Sequence, residues 1–138
     1  MDTALVITSI ADSGHPVLNA YASQCKKNGI PFYVIGDKAS PVDFQLKGCD
    51  YYSLVRQKQL DLSIVKLLPE KHYGRKNIGY LQAIRNGAQI ILETDDDNYA
   101  LSEFWAERQR IVTAHPIKEK GWVNVYEYYT KARIWPRG

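Results

Sequence analysis

The stretch TALVITSIADSGHPVLNAYASQCKKNGIPFYVIGD, residues 3–37, decides the fold class of this 138-residue chain. Residues 3–10 form an apolar, β-branched run that is typical of a buried strand. Pro16 suits the first turn of a helix, and Asn28-Gly29 suits the end of one. Residues 31–35 form a second apolar run. Two such strands joined by a helix predict a β-α-β unit with a parallel sheet, so the chain is expected to be an α/β protein.

The pattern continues in the same way beyond residue 37. We expect a three-layer, Rossmann-like α/β/α sandwich with a mostly parallel sheet, built as a single domain over residues 1–138. A helix that ends before Asn86-Gly87 is expected to bury Ile78, Leu81 and Ile84. The other predicted elements are a short strand at 51–54, a helix over 60–68, a strand at 88–92, a helix over 101–112 and a strand over 122–129.

Composition excludes several classes of protein. Hydrophobic residues make up 45% and charged residues 24% of the chain, which is typical of a globular protein and not of a disordered one. No apolar run approaches the ~20 residues of a membrane span, and no secretory signal is visible, so we expect a cytoplasmic or unassigned location. Cys25 and Cys49 are too few and too distant for a zinc site or a disulfide scaffold.

Charge is distributed unevenly along the chain. The formal net charge of +3 is too small to indicate nucleic-acid binding. Residues 56–85 carry seven basic and two acidic residues, whereas residues 93–107 carry six acidic residues and no basic one. Residues 108–138 are again basic, with seven basic and two acidic residues. An acidic cluster between basic segments suits a metal ion bridging to a polyanion, although solvated helix faces would give the same order.

Three consecutive carboxylates, Asp95, Asp96 and Asp97, follow the predicted strand at 88–92. Ligands of open α/β sheets bind outside the carboxyl ends of the strands. Neighbouring carboxylates repel one another, and hard ions such as Mg²⁺ or Mn²⁺ take one or two carboxylates together with substrate phosphates. The pattern therefore indicates a metal site on Asp95 and Asp97. The alternative is an acidic cap on the next helix.

A second charged motif, Gly74-Arg75-Lys76-Asn77-Ile78-Gly79, opens a predicted helix. Backbone N–H groups at a helix start, with Arg and Lys beside them, suit an anion such as a diphosphate. A solvated basic helix start explains the same residues equally well. The motif is not a Walker A loop.

Two further strand ends are candidate ligand contacts. Asp37 follows the second strand and could bind a ribose hydroxyl or a base edge, although a simple turn is equally consistent. Thr8, Ser9 and Ile10 end the first strand and would face the same crevice. No G-x-G-x-x-G follows the first strand, which disfavours a dinucleotide cofactor.

Taken together, these motifs resemble a known family. The run from Asn77-x-Gly79 through Gly87-Ala88-x-Ile90 to Asp95-Asp96-Asp97 resembles the donor half of glycosyltransferases with the GT-A fold. More narrowly, residues 74–98 and the terminal Trp135-Pro136-Arg137-Gly138 are similar to STELLO-type glycosyltransferases. The resemblance covers most of the chain.

The resemblance implies a nucleotide-sugar donor, with a UDP-sugar as the first candidate, an unknown acceptor, and Mn²⁺ or Mg²⁺ as cofactor. It implies that Asp97 coordinates the metal and that Asp95 holds the metal or the ribose. It implies that Arg75 neutralises the diphosphate, while Asp37 and the end of the first strand hold the base and ribose. The remaining residues expected at the donor site from the matched motifs are Lys76, Asn77, Asp96 and Arg137.

Two other functions stay open at this point. A phosphohydrolase of the haloacid dehalogenase type also has D-x-D at a strand end, with the first Asp as nucleophile. Tyr99 stands where such enzymes usually have Thr or Val. A nucleotide-sugar-binding module without catalysis is the other alternative, since GT-A enzymes usually carry a further acceptor-binding half and the chain is expected to be a truncated piece or an unusually small enzyme. Glu119 and Glu127 are candidates for a general base, and no catalytic residue is assigned.

Overall fold

The computed structural model describes residues 2–109, 111–118 and 120–134. They fall into two compact units, Met1–Ala106 and Glu107–Gly138. The strands are β1 (Thr3–Thr8), β2 (Phe32–Ile35), β3 (Asp50–Tyr52) and β4 (Ile90–Glu93). The α-helices are α1 (Pro16–Asn28), α2 (Leu54–Lys58) and α3 (Lys76–Arg85). Short 3-10 helices cover Ser63–Lys66, Tyr73–Arg75, Ser102–Trp105 and Val125–Tyr128.

The four strands form one parallel sheet in the order β3-β2-β1-β4. In the register of the central pairs, Leu5 lies beside both Phe32 of β2 and Leu92 of β4. β1 and β2 are buried along most of their length. Strands buried on both faces are expected to be continuously apolar, as these are. The predicted α/β, Rossmann-like class is confirmed.

Helices cover both faces of the sheet. On one face, α1 packs Leu18, Tyr21 and Cys25 against Leu5 and other strand residues. On the opposite face, α3 packs against β1 and β2. Because successive strand residues point to opposite faces, odd-numbered and even-numbered residues of β1 enter different cores. The result is the three-layer arrangement expected from the sequence.

Local signals explain the bounds of α1. Pro16 occupies its first turn, where a missing N–H leaves no hydrogen bond unmade. Gly29 ends it in the left-handed conformation with φ 62°, and its N–H bonds back to the last turn. The predicted helix between Pro16 and Asn28-Gly29 is confirmed.

The predicted helix over 60–68 is wrong. The helix in this region, α2, ends at Lys58, before the segment begins, and the segment itself contains the 3-10 helix Ser63–Lys66. Ser53 starts α2 earlier than predicted, since its side chain accepts the backbone N–H of Arg56. The apolar residues counted toward one helical face were Leu60, Ile64, Leu67 and Leu68. Of these, Leu67 is 80% exposed, whereas the buried residue of the segment is Val65, which was not counted.

The predicted helix over 101–112 and strand over 122–129 are also wrong where the structure describes them. The first is reduced to the 3-10 helix Ser102–Trp105, after which Ala106 is extended, and Ile111 and Val112 are exposed. In the second, Asn124 accepts the N–H of Tyr126 and starts the 3-10 helix Val125–Tyr128. A segment with helical or strand periodicity forms a regular element only where its apolar face can pack against a hydrophobic core.

Smaller differences concern element ends. β1 ends at Thr8, β2 begins at Phe32, β3 covers Asp50–Tyr52, and β4 begins at Ile90. In α3, Ile84 is exposed, and the buried face is formed by Ile78, Gly79, Gln82 and Ala83. Across the described residues, no helix has the length and apolar character needed to cross a membrane.

Candidate functional site

The candidate site lies where the chain reverses direction across the sheet. β1 has β2 on one side and β4 on the other, and the connections that carry α1 and α3 leave on opposite faces. This reversal opens a crevice at the carboxyl ends of the strands. A cavity of about 470 Å³ lies there, called here the switch-point pocket. Its lining is Thr8, Ser9, Ile10, Ile35, Gly36, Asp37, Ala39, Lys71, His72, Tyr73, Arg75 and Asp96.

The pocket brings together six of the residues predicted at the donor site. They come from the ends of β1 and β2, from the start of α3 and from the segment after β4. The six are Thr8, Ser9, Ile10, Asp37, Arg75 and Asp96. These positions are far apart in sequence, so it is the parallel sheet that makes them neighbours.

A hydrogen bond between Ser9 and Asp96 joins the ends of β1 and β4. The Ser9 hydroxyl is buried and donates to Oδ2 of Asp96, while it accepts the N–H of Ala11 at 3.0 Å. The backbone N–H of Ser9 donates to the carbonyl of Ile35 at 3.0 Å. Ser9 is therefore tied to both neighbouring strands and fixes the Asp96 carboxylate at the pocket.

Asp37 accepts three backbone hydrogen bonds at the end of β2. The donors are the N–H groups of Lys38 at 2.7 Å, Lys71 at 2.9 Å and His72 at 3.1 Å. Burial alone would raise the pKa of Asp37, but these bonds and the nearby Arg75 charge lower it overall. Asp37 therefore stays ionised and holds the Lys71–His72 segment against the end of β2.

Arg75 is a buried cation in the wall of the pocket, with 2% of its surface exposed. Its Nε and Nη2 donate to Oε1 of Gln57, and its Nη1 donates to the carbonyls of Leu68 and Pro69. Within the described ranges, no carboxylate forms an ion pair with it. The guanidinium is held entirely by neutral acceptors, so its positive charge is not cancelled by direct contact.

Gln57 is fully buried and holds Arg75 in place through hydrogen bonds. Its Nε2 donates at 2.7 Å to the carbonyls of Gly36 and Tyr52, and its Oε1 accepts from Arg75. Sequence reasoning missed this residue, because a buried glutamine has no local pattern and α2 was predicted to lie further along the chain.

Lys76 lies beside the pocket and faces carboxylates. Its side chain is 4% exposed, and its Nζ contacts Glu93 and lies 3.0 Å from Oδ1 of Asp95. The Tyr73 hydroxyl also donates to Oδ1 of Asp95. Hydrogen bonds from Tyr73 and Lys76 lower the pKa of Asp95. Burial alone would lower the pKa of Lys76, but its two carboxylate partners raise it overall. Lys76 does not line the pocket.

Asp97 and Asn77 are predicted site residues that do not line the pocket. Asp97 is exposed and accepts from the side chain of Asn98 at 3.0 Å. Asn77 is exposed and donates to the carbonyl of Gly74, which stabilises its own turn. Arg137 lies outside the described residues. The donor-site roles of Lys76, Asn77 and Arg137 stay predictions.

The predicted metal ligands have to meet the coordination requirements of Mg²⁺ or Mn²⁺. Among the described residues, no three His, Cys, Asp or Glu side chains cluster closely enough to hold an ion by themselves. Such ions are usually bound by one or two carboxylates together with substrate phosphates. Asp97 is an exposed carboxylate, and the side chain of Asp95 is 43% exposed. Two carboxylates would be enough for an ion that also binds a phosphate ligand, and the metal site on Asp95 and Asp97 stays a prediction.

Six pocket residues were not predicted, and three of them, Lys71, His72 and Tyr73, have polar side chains. Nothing in the order of residues places His72 near Asp37, 35 positions earlier. The sequence signal that could have identified these residues is the run of basic residues just before Arg75, if the motif that contains Arg75 is extended toward the N-terminus.

Comparisons with known proteins agree with the motifs. No family model matches the chain. The chain is similar to two Arabidopsis thaliana proteins, probable glycosyltransferase STELLO2 (30% identical over 82% of the chain) and probable glycosyltransferase STELLO1 (30% identical over 84% of the chain). The matched regions span 16% and 17% of those proteins. The resemblance to STELLO-type glycosyltransferases that the motifs indicated is therefore confirmed.

Proposed function

We propose that this chain is the donor-binding part of a glycosyltransferase and that the switch-point pocket holds the nucleotide of a nucleotide-sugar. A UDP-sugar is our first candidate, and the acceptor is not assigned. The observation that carries the proposal is the convergence of Thr8, Ser9, Asp37, Arg75 and Asp96 on one cavity at the position where α/β sheets bind ligands. The similarity to two probable glycosyltransferases supports the same conclusion.

The electrostatics of the pocket support an anionic ligand. Arg75 is a buried guanidinium bound only to neutral acceptors, and Lys71 lines the same cavity. Asp37 lies near enough to interact with this charge, but no carboxylate of the described residues contacts the guanidinium directly, so a bound anion would stabilise it further. A diphosphate matches this requirement because its negative charge would offset the positive charges of Arg75 and Lys71.

A divalent ion is part of the proposal. Asp97 and Asp95 would hold Mn²⁺ or Mg²⁺ together with phosphate oxygens. When bound, the ion would stabilise the charge of the departing nucleoside diphosphate. The chain's own contribution is positional. Lys76 and Tyr73 fix one oxygen of Asp95, and Ser9 fixes Asp96.

Neither candidate for the general base is assigned that role here. Glu127 is exposed in the second unit, and Glu119 lies outside the described residues.

The first test is calorimetric titration of UDP into the full chain, with Mn²⁺ and then with EDTA. Metal-dependent binding is expected, followed by transfer or hydrolysis when UDP-sugars are supplied. Binding without turnover would favour the non-catalytic module. An aspartyl-phosphate on Asp95, with phosphate released from simple esters, would instead identify a phosphohydrolase. Absence of UDP binding in both conditions would contradict the proposal.

A further inference from the structure

Hydrogen bonds from the protein itself occupy most of the acceptor positions of the Asp37 carboxylate. An ionised carboxylate offers about four lone-pair positions. Three of them accept the N–H groups of Lys38, Lys71 and His72. Two of these three donors belong to a segment more than 30 residues away, so the bonds are tertiary contacts and not a local turn.

The segment that Asp37 holds has an unfavourable backbone. Lys71 has φ 55°, in the left-handed region that is sterically unfavourable for a residue with a Cβ. The bonds from Lys71 and His72 to one carboxylate offset this unfavourable conformation. Two ion pairs lie beside these hydrogen bonds: Glu70 contacts Lys58 at 3.1 Å and Lys38 at 3.6 Å.

This turn places basic and donor side chains along one side of the pocket. Lys71, His72 and Arg75 all line it, and we call these three residues the basic wall. Nδ1 of His72 accepts the N–H of Gly74 at 2.9 Å, so the ring proton of the neutral imidazole is on Nε2 and available as a donor. Ser9 and Asp96 also line the pocket and carry no positive charge.

We infer that Asp37 is a positioning residue, which shapes the basic wall, and that the basic wall binds the diphosphate of the ligand. This inference rests on the proposed function and deepens it. It assigns Lys71 and His72 as phosphate-binding residues beside Arg75. It also replaces the expected contact between Asp37 and the ribose by an action through the Lys71–His72 segment.

The experiment measures the binding of UDP, uridine and inorganic pyrophosphate to the full chain by calorimetry. UDP and uridine are titrated with Mg²⁺, and pyrophosphate is titrated without metal at low salt. The variants are Asp37→Asn, Lys71→Ala and the double variant. Lys66→Ala is the matched control, because Lys66 is exposed and lines none of the described pockets. Lys71→Gly tests the backbone separately, since glycine accepts φ 55° without strain.

If the inference holds, Asp37→Asn weakens UDP and pyrophosphate about tenfold and uridine less than twofold. Its effect combined with Lys71→Ala is smaller than the product of the two single effects, since both act through one wall. Lys71→Gly weakens UDP as Lys71→Ala does, because the side chain is lost in both. Lys66→Ala leaves all three ligands unchanged.

Equal losses of UDP and uridine in Asp37→Asn, with independent effects of Lys71→Ala, would show direct contact with the ribose and overturn the inference. Should Asp37→Asn be too unstable to assay, Lys71→Ala and His72→Ala decide alone, and unchanged pyrophosphate binding in both would overturn it. Pyrophosphate binding could depend on Asp37 and Lys71 while UDP binds no more tightly than pyrophosphate. That result would support the basic wall as a phosphate site and contradict nucleotide binding in the pocket. Absence of binding by all three probes would reject both proposals.

Discussion

The ammonium of Lys76 lies 3.0 Å from Oδ1 of Asp95, with the lysine side chain almost completely buried. The same ammonium contacts Glu93 and lies 4.7 Å from the centre of the Tyr73 ring. One internal cation therefore neutralises part of the acidic cluster at the end of β4. The fixed oxygen of Asp95 is the one that faces α3, which leaves its other oxygen and Asp97 for an external ligand.

Replacing Lys76 with Met should destabilise the protein by about 1–3 kcal/mol, because Glu93 and Asp95 lose a charged donor and repel each other. Urea unfolding of the variant against the wild type measures this loss. Lys66→Met, on an exposed lysine, should change the free energy of unfolding by no more than about 0.5 kcal/mol. Equal effects of the two substitutions would show that the Lys76 contacts do not stabilise the fold.

Asp37 predicts a dependence of stability on pH. Its folded-state pKa is lowered, so its contribution to stability is fully present above its ordinary pKa and is lost as the pH falls through the lowered value. The difference in unfolding free energy between wild type and Asp37→Asn should be constant from about pH 5 to 7 and shrink below about pH 4. Urea unfolding at a series of pH values measures it. A difference that stays unchanged at about pH 2.5 would contradict the prediction.

Local sequence signals were enough for the first half of the sheet. Pro16 and Gly29 mark the ends of α1, and the apolar runs beside it mark β1 and β2. The acidic residues after β4 were found for the same reason, since a buried strand followed by Asp95–Asp97 is a contiguous pattern. The rules that parallel strands share an edge and that ligands bind there then placed Ser9, Asp37 and Asp96 together.

Residues that act through distant contacts could not be predicted. Gln57 meets Arg75 across 18 positions, and His72 meets Asp37 across 35. Arg75 was predicted from its charge, but its burial depends on Gln57 and on two backbone carbonyls. Periodicity also misled where no core receives it, as at Ile111 and Val112, which are exposed. A helical spacing of apolar residues indicates that one face of a helix could be buried, but it does not show what would pack against that face.

Gln57 should be required for the shape of the pocket. In Gln57→Leu, the volume is nearly kept, but Arg75 loses an acceptor, and the carbonyls of Gly36 and Tyr52 lose a donor. Leaving buried polar groups unpaired should destabilise the protein by about 2–4 kcal/mol. Gln59→Leu is the matched control, because Gln59 is exposed, and its effect should be small. Thermal unfolding of both variants measures the difference, and similar melting temperatures would refute the role of Gln57.

Gly79 sets the distance between α3 and the sheet. A Cβ at this position would meet Val6 and would lie 2.9 Å from Cγ1 of Ile35. Alanine favours helices over glycine by about 1 kcal/mol, but overpacking against two buried strand residues should exceed that gain. Gly79→Ala is therefore expected to destabilise by about 1–3 kcal/mol in denaturant unfolding. Ile84→Ala, on the exposed side of the same helix, should change stability by less, and a stabilised Gly79→Ala would show that the helix can shift outward.

Asp97 gives the sharpest test of the proposed metal site. Asp97 is exposed and its side chain accepts a hydrogen bond only from the neighbouring Asn98 among the described contacts, so Asp97→Asn should leave the fold and its melting temperature unchanged. It should nevertheless abolish the part of UDP binding that depends on Mn²⁺, because an amide oxygen is a much weaker ligand than a carboxylate for a hard ion. Calorimetry with Mn²⁺ and with EDTA measures both parts. Asp43→Asn, which replaces an exposed acid that does not line the switch-point pocket, should bind as the wild type does. If Asp97→Asn kept full metal-dependent binding while Asp95→Asn lost it, the ion would be held by Asp95, through the oxygen that Lys76 does not contact.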